Sequence, residues 1–159
     1  MLRIIKVLVE NLLTSIIQNI SGSLGEWIRR FYYKGKFLKC GANVKIGVGV
    51  IFENIENISI GDNVCFLPYS IITGPSSKNR PSNRLYYNAQ KQRISEYDSN
   101  PLVIGNEVAI GSYNIIQGYG GLIIHDKVTT SARVSIYSFS HLHYAPDACD
   151  LITYANAMV

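Results

Sequence analysis

The sequence predicts an all-β chain wound as a parallel β-helix and preceded by an amphipathic helix. Three observations predict it: a six-residue apolar step, a twenty-residue repeat of longer motifs, and a helical polar face confined to the first twenty residues. The step is clearest from Leu122 to His143, LIIHDKVTTSARVSIYSFSHLH, where Ile124, Thr130 and Ile136 fall six residues apart and Val128 and Val134 follow the first two by four. A helix repeats its face every 3.6 residues and a strand every two. A period of six fits a chain that turns a corner every six residues, with one side chain per strand pointing inward, which is the mark of hexapeptide β-helix repeats.

The longer repeat begins at Cys40. Cys40-Gly-Ala-Asn-Val44 is followed twenty residues later by Ile60-Gly-Asp-Asn-Val64, and Ile104-Gly-Asn-Glu-Val108 by Ile124-His-Asp-Lys-Val128. The same offset relates Ile46 to Phe66, Phe52 to Ile72, Ile110 to Thr130 and Ile116 to Ile136. Stacked turns would place these pairs one strand spacing apart, about 4.8 Å. Val44, Ile46, Val50, Val64, Val108, Ile110, Val128, Val134 and Ile136 are the expected inward residues. Glycine after the inward residue is expected to supply a corner conformation closed to most side chains. At His125 that glycine is replaced, so a different bend is expected there.

Residues 1–39 form the expected helical segment. In Met1–Ile20, Arg3, Lys6, Glu10, Asn11, Thr14, Ser15, Gln18 and Asn19 line one face, and Leu2, Ile5, Leu8, Leu12, Ile16 and Ile20 the other. A polar residue in every turn argues against a membrane span, which needs about 20 predominantly apolar residues. The apolar stripe has two candidate surfaces. One is the open end of the β-helix, which needs a cap. The other is a membrane interface, helped by Arg29, Arg30, Lys34, Lys36 and Lys39. Ser21-Gly22-Ser23 and Gly25 are expected to break the helix, with a second short helix around Glu26–Tyr33.

The remaining organisation is a β-helix domain over 40–143, interrupted by a long loop at 73–101, and a tail at 144–159. The loop is polar and unperiodic. Its Arg84 and Tyr86, among other basic and aromatic residues, suit a sugar or phosphate ligand; a solvated excursion is the alternative. The 159 residues suffice for one domain with a core, and the net charge of +4 is compatible with anionic ligands or a membrane surface. No nucleic-acid partner is expected. Cys40, Cys65 and Cys149 form no C-x-x-C pair, and no cleavable signal is read before them. Reduced thiols and a cytoplasmic location are therefore expected.

The repeat, with IGDNV and IGNEV, resembles the hexapeptide-repeat acyltransferases over roughly Ser21 to Asp147. That resemblance implies a left-handed parallel β-helix and a homotrimer. SGSLGEWIRRFYYKGKFLKCGANVKIGVGV is similar to the beginning of members that O-acetylate sugars of surface polysaccharides. Thr130–His141, TSARVSIYSFSH, is similar to the segment of galactoside and maltose O-acetyltransferases that ends in their catalytic histidine, which falls on His141. The implied reaction is direct transfer of acetyl from acetyl-CoA to a sugar hydroxyl. His141 would be the general base, and a backbone N–H would stabilise the tetrahedral oxyanion.

His143 is a rival base or a substrate contact, with an exposed loop histidine as the alternative. Asn114 stands at an inward position and is a candidate substrate contact, by resemblance to an asparagine of the galactoside enzymes. A structural asparagine bonded to neighbouring backbone is the alternative. Tyr144–Val159 contains no IG step where the family continues with IG-x-x-V-W-I-G motifs. The expectation is thus a C-terminally truncated member, with an inactive fragment serving as a binding or assembly module as the second reading. The truncation would leave unpaired strand edges on the last turn. A zinc enzyme of the γ-carbonic-anhydrase type would need three converging histidines. His125, His141 and His143 do not have that spacing, and no metal is expected.

Overall fold

The computed structural model describes residues 2–75, 85–87, 93–94, 101–119, 121–141, 151–154 and 157–158. Two helices open the chain, α1 (Leu2–Asn19) and α2 (Gly22–Lys34). Short strands follow: β1 (Lys39–Cys40), β2 (Lys45–Ile46), β3 (Ile51–Glu53), β4 (Ile58–Ile60), β5 (Cys65–Phe66) and β6 (Ile71–Thr73). Next come β7 (Leu85–Tyr87), β8 (Arg93–Ile94), β9 (Leu102–Ile104), β10 (Ala109–Ile110), β11 (Ile115–Gln117) and β12 (Leu122–Ile124). The last are β13 (Ser135–Tyr137), β14 (Phe139–His141), β15 (Leu151–Tyr154) and β16 (Ala157–Met158).

Four sheets result, in the orders β1-β4-β9-β12-β16, β2-β5-β10, β3-β6-β11-β13 and β14-β15-β7-β8. The first three are parallel throughout, and their register is the expected one. Cys40 pairs with Ile60, Ile46 with Phe66, Phe52 with Ile72, Ile104 with Ile124 and Ile116 with Ile136. Ile60 pairs with Ile104, so the register resumes across the excursion that separates β6 from β9.

The expected fold class is nevertheless corrected. The chain is mixed α/β, not an all-β left-handed parallel β-helix, and its sheets do not form a single coil. Two helices occupy most of the first 34 residues, and the fourth sheet is mixed, with β14–β15 and β7–β8 antiparallel on either side of the parallel pair β15–β7. A fixed offset in the sequence specifies which strand lies beside which. It does not specify how segments outside the repeat pair with one another.

Two further expectations change with it. The 73–101 loop contributes β7 and β8, and the 144–159 tail contributes β15 and β16. Of the last turn's expected open edges, that of β12 pairs with β16 in parallel, Leu122 opposite Ala157 and Ile123 opposite Met158, while β13 stands at the edge of its sheet.

The core runs through the stacked ladders. Val44, Ile46, Val50, Val64, Val108 and Ile110 are buried as expected, together with Ile58, Ile60, Phe66, Ile72, Leu102, Ile104, Ile116, Leu122 and Ile124. Each such aliphatic side chain contributes roughly 1.5–3 kcal/mol by leaving water. Val128, Val134 and Ile136 are only half-buried, because they belong to the terminal level of the ladder.

The opposite end is closed by α2 and the last turn of α1. Tyr33 and Phe37 meet Phe52 edge-on at 5.2 and 5.0 Å between ring centres, and Phe52 meets Phe66 at 5.2 Å. The capping surface is thus mainly α2. Among the described side chains of α1 only Ile17 is buried, and Ile5, Leu8, Leu12 and Ile16 are exposed.

Arg29 locks this end. It is buried, so it does not belong with the basic residues expected to face a membrane. Its Nε donates to the Ile46 carbonyl at 2.8 Å, and one terminal nitrogen donates to the Ile20 carbonyl at 2.6 Å and the Ile17 carbonyl at 3.4 Å. These last two are carbonyls at the end of α1, where a cation also meets the negative end of the helix. Burial lowers the Arg29 pKa, with Glu26 opposing.

Gly25, expected to break a helix, lies inside α2. A Cβ there would overlap the Ile20 carbonyl, so glycine is what lets the two helices meet. The break falls at Ser21, as expected of Ser21-Gly22-Ser23, in extended backbone at φ −80°, ψ 163°.

Candidate functional site

The chain leaves the parallel ladders after Tyr137. Ser138 is buried and still tied to β11, its N–H donating to the Gln117 carbonyl at 3.0 Å. β14 begins at the next residue and ends on His141. His141 pairs with Ile152 of β15, and Ile152 pairs on its other side with Tyr86 of β7. Tyr86 in turn pairs with Ile94 of β8. One rung therefore carries His141, Ile152, Tyr86 and Ile94. The adjacent rung carries Ser140, Thr153, Tyr87 and Arg93. With strands about 4.8 Å apart, His141 and Tyr86 stand about 10 Å apart along the rung.

This sheet joins two candidates that lie in distant parts of the sequence. Arg84 and His143 lie outside the described residues. Arg93, also from the 73–101 segment, stands three strands from Ser140 on the adjacent rung, about 14 Å away and on the alternate face from His141. Short apolar and aromatic runs, Leu85-Tyr86-Tyr87 and Leu151-Ile152-Thr153-Tyr154, are the signal that could have identified these strands.

Asn114 is placed differently. It is fully buried, at the level between Ser70 and Val134. Its Nδ2 donates to Thr130 Oγ1 at 2.5 Å, and its Oδ1 accepts the Val134 N–H at 2.8 Å. Thr130 Oγ1 also accepts the Gly111 N–H at 3.0 Å. Ser70 is buried as well, its hydroxyl within 2.9 Å of the Leu67 carbonyl and 2.8 Å of the Gly111 carbonyl. Both side chains bond to the stacked turns around them, as buried polar groups must. The Asn114 amide is engaged by the chain itself rather than presented outward.

His125 is exposed in a turn. Among the described residues, no three histidines, cysteines or acids are grouped to hold a metal ion. Cys40 and Cys65 are free thiols whose pKa values are pushed up mainly by burial.

The corner next to His125 carries a polar ladder. The Ala42 N–H donates to Asp62 Oδ1 at 2.6 Å, the Asp62 N–H to Asn106 Oδ1 at 2.9 Å, and the Asn106 N–H to Asp126 Oδ1 at 2.6 Å. Each side chain thus accepts from the backbone one level away. The bond from the Asn106 backbone, then that from its side chain, lowers the Asp126 pKa.

The reason for the glycines here also differs from expectation. The left-handed residues are Asn43, Asn63, Glu107 and Lys127, two positions after the expected glycines. Gly61 is required by close stacking, since a Cβ on it would come within 2.7 Å of the Gly105 carbonyl. His125 ends this column and is exposed, so a side chain is accommodated there.

No family model matches the chain, and no curated protein or solved structure matches it either.

Proposed function

We propose that the chain carries out O-acetyl transfer from acetyl-CoA to a sugar hydroxyl, with His141 as general base. The observation that supports this best is the shared rung, in which Ile152 alone separates His141 from Tyr86. A base and an aromatic residue at that spacing suit a sugar lying across the strands. Acetyl-CoA supplies the acetyl group as an activated thioester.

His141 takes the proton of the sugar hydroxyl as the sugar oxygen bonds to the acetyl carbon. The carbon–sulfur bond breaks, and the proton leaves with the thiol. The similarity of Thr130–His141 to the histidine-bearing segment of sugar O-acetyltransferases supports the same assignment. By that resemblance the assembly is a homotrimer, the acceptor is a surface-polysaccharide precursor, and the site of action is the cytoplasmic side of the membrane.

The test is acetyl-CoA turnover with a panel of sugar acceptors. His141→Ala lowers kcat by a factor on the order of 10²–10⁴ with an unchanged circular dichroism spectrum. Undiminished turnover in the folded variant removes His141 as base.

A further inference from the structure

The two helices carry an apolar surface that the rest of the described chain does not cover. On α1, Ile4, Ile5, Leu8, Val9, Leu12, Leu13 and Ile16 are all exposed, Leu12 at 64 %. They span about half the helix circumference at 100° per residue. On α2 the buried face is Gly25, Arg29 and Tyr33. The opposite face carries Leu24, Trp27 and Phe31, at positions i, i+3 and i+7, all exposed. Trp27 and Phe31 pack on each other with ring centres 4.7 Å apart, so they form one aromatic projection.

The charge on this segment is equally one-sided. Residues 1–39 hold seven Lys and Arg against two acids; without the buried Arg29 the balance is +4, while the other 120 residues sum to −1. Lys34, Lys36 and Lys39 are exposed beside the aromatic pair's helix end. The positive charge and the uncovered apolar surface therefore occupy the same part of the molecule.

We infer that this surface docks on a membrane bearing anionic lipid headgroups, α1 lying in the interface and Trp27 and Phe31 inserted beside it. The chemistry matches: an apolar stripe enters the acyl boundary, and lysines meet the headgroups. Indole and phenyl rings favour that depth. No described helix is long and apolar enough to cross a membrane, so the contact is peripheral. A second copy of the chain fits the surface less well, because a symmetric pairing sets one set of exposed lysines, Lys34, Lys36 and Lys39, against another. This inference stands independently of the acetyl-transfer reading.

Trp27 is the only tryptophan, so intrinsic tryptophan emission reports on this surface alone. The full chain is mixed with vesicles of phosphatidylcholine, with or without phosphatidylglycerol, and followed by emission and by flotation. The expected result is a blue shift and flotation with the anionic vesicles only. Leu8→Gln with Leu12→Gln abolishes flotation. Lys34→Gln with Lys36→Gln and Lys39→Gln weakens binding on the order of 100-fold, at about fivefold per lysine. Circular dichroism confirms that both variants are folded.

Unchanged emission and no flotation with anionic vesicles overturn the inference. Equal binding to neutral vesicles overturns the role of the charge. A blue shift that grows with protein concentration without lipid, and disappears in Leu8→Gln with Leu12→Gln, assigns the surface to a second copy instead. Acetyl transfer is not read in any of these measurements, so its failure would leave them intact.

Discussion

Asn114 and Thr130 meet inside the stack of turns, the asparagine Nδ2 donating to the threonine hydroxyl at 2.5 Å while its Oδ1 takes the Val134 N–H. Sixteen residues apart in sequence, they join two consecutive levels of the ladder. Asn114→Ala leaves a buried N–H without its acceptor and should destabilise the chain by about 2–3 kcal/mol. Thr130→Val removes the same bond from the other side. In a double-mutant cycle the two should be non-additive by about 0.5–3 kcal/mol, read from urea unfolding. Additive effects would separate the two residues energetically.

Arg29 should be the costliest single residue in the helical end. Arg29→Ala removes bonds to the Ile46 and Ile20 carbonyls and uncovers them inside the protein. The expected loss is about 2–4 kcal/mol. Arg29→Lys should recover part of it, because an ammonium cannot present two donors in the guanidinium's fixed plane. Thermal unfolding of the three proteins gives the order.

Asp126 should make stability depend on acid. Its pKa is lowered, chiefly by the Asn106 backbone N–H, so the folded protein favours the carboxylate more than the unfolded chain does. That contribution is present above the ordinary carboxylate pKa of about 4 and is lost as pH falls through the lowered folded value. Asp126→Asn keeps an accepting oxygen, as Asn106 does for the Asp62 N–H, and should lose this part of the acid dependence. Denaturant midpoints measured between about pH 2 and 6 for both proteins provide the comparison.

Two substitutions on the same corner should act in opposite directions. Gly61→Ala forces a methyl group towards the Gly105 carbonyl and should cost about 1–3 kcal/mol. Lys127→Gly relieves a lysine held at φ 64° and should stabilise by about 1 kcal/mol. Melting temperatures suffice to read both. A neutral Gly61→Ala would show that the stack yields easily there.

Much of the ladder was legible in the residues. A repeat of twenty with no insertion placed Ile46 beside Phe66 and Ile104 beside Ile124, and the six-residue step identified Val44, Val64, Val108 and Ile110 as inward. The site was legible only in part. The histidine-bearing segment could be singled out, but nothing local connects His141 to Tyr86, whose strands meet through Ile152 after excursions of unequal length. Asn114 could be read as a ligand contact or as structure, and its burial favours structure.

The sequence by itself determined the neighbours at constant spacing, because identical apolar steps stack in register and each level buries the next. Tertiary structure decided the rest: that the class is mixed α/β, that Arg29 turns inward while Trp27 turns outward, and that Gly25 serves a helix contact rather than a break. Those outcomes depend on which surface arrives against a given residue, and the same arginine, tryptophan or glycine is compatible with either side until the neighbouring element is in place.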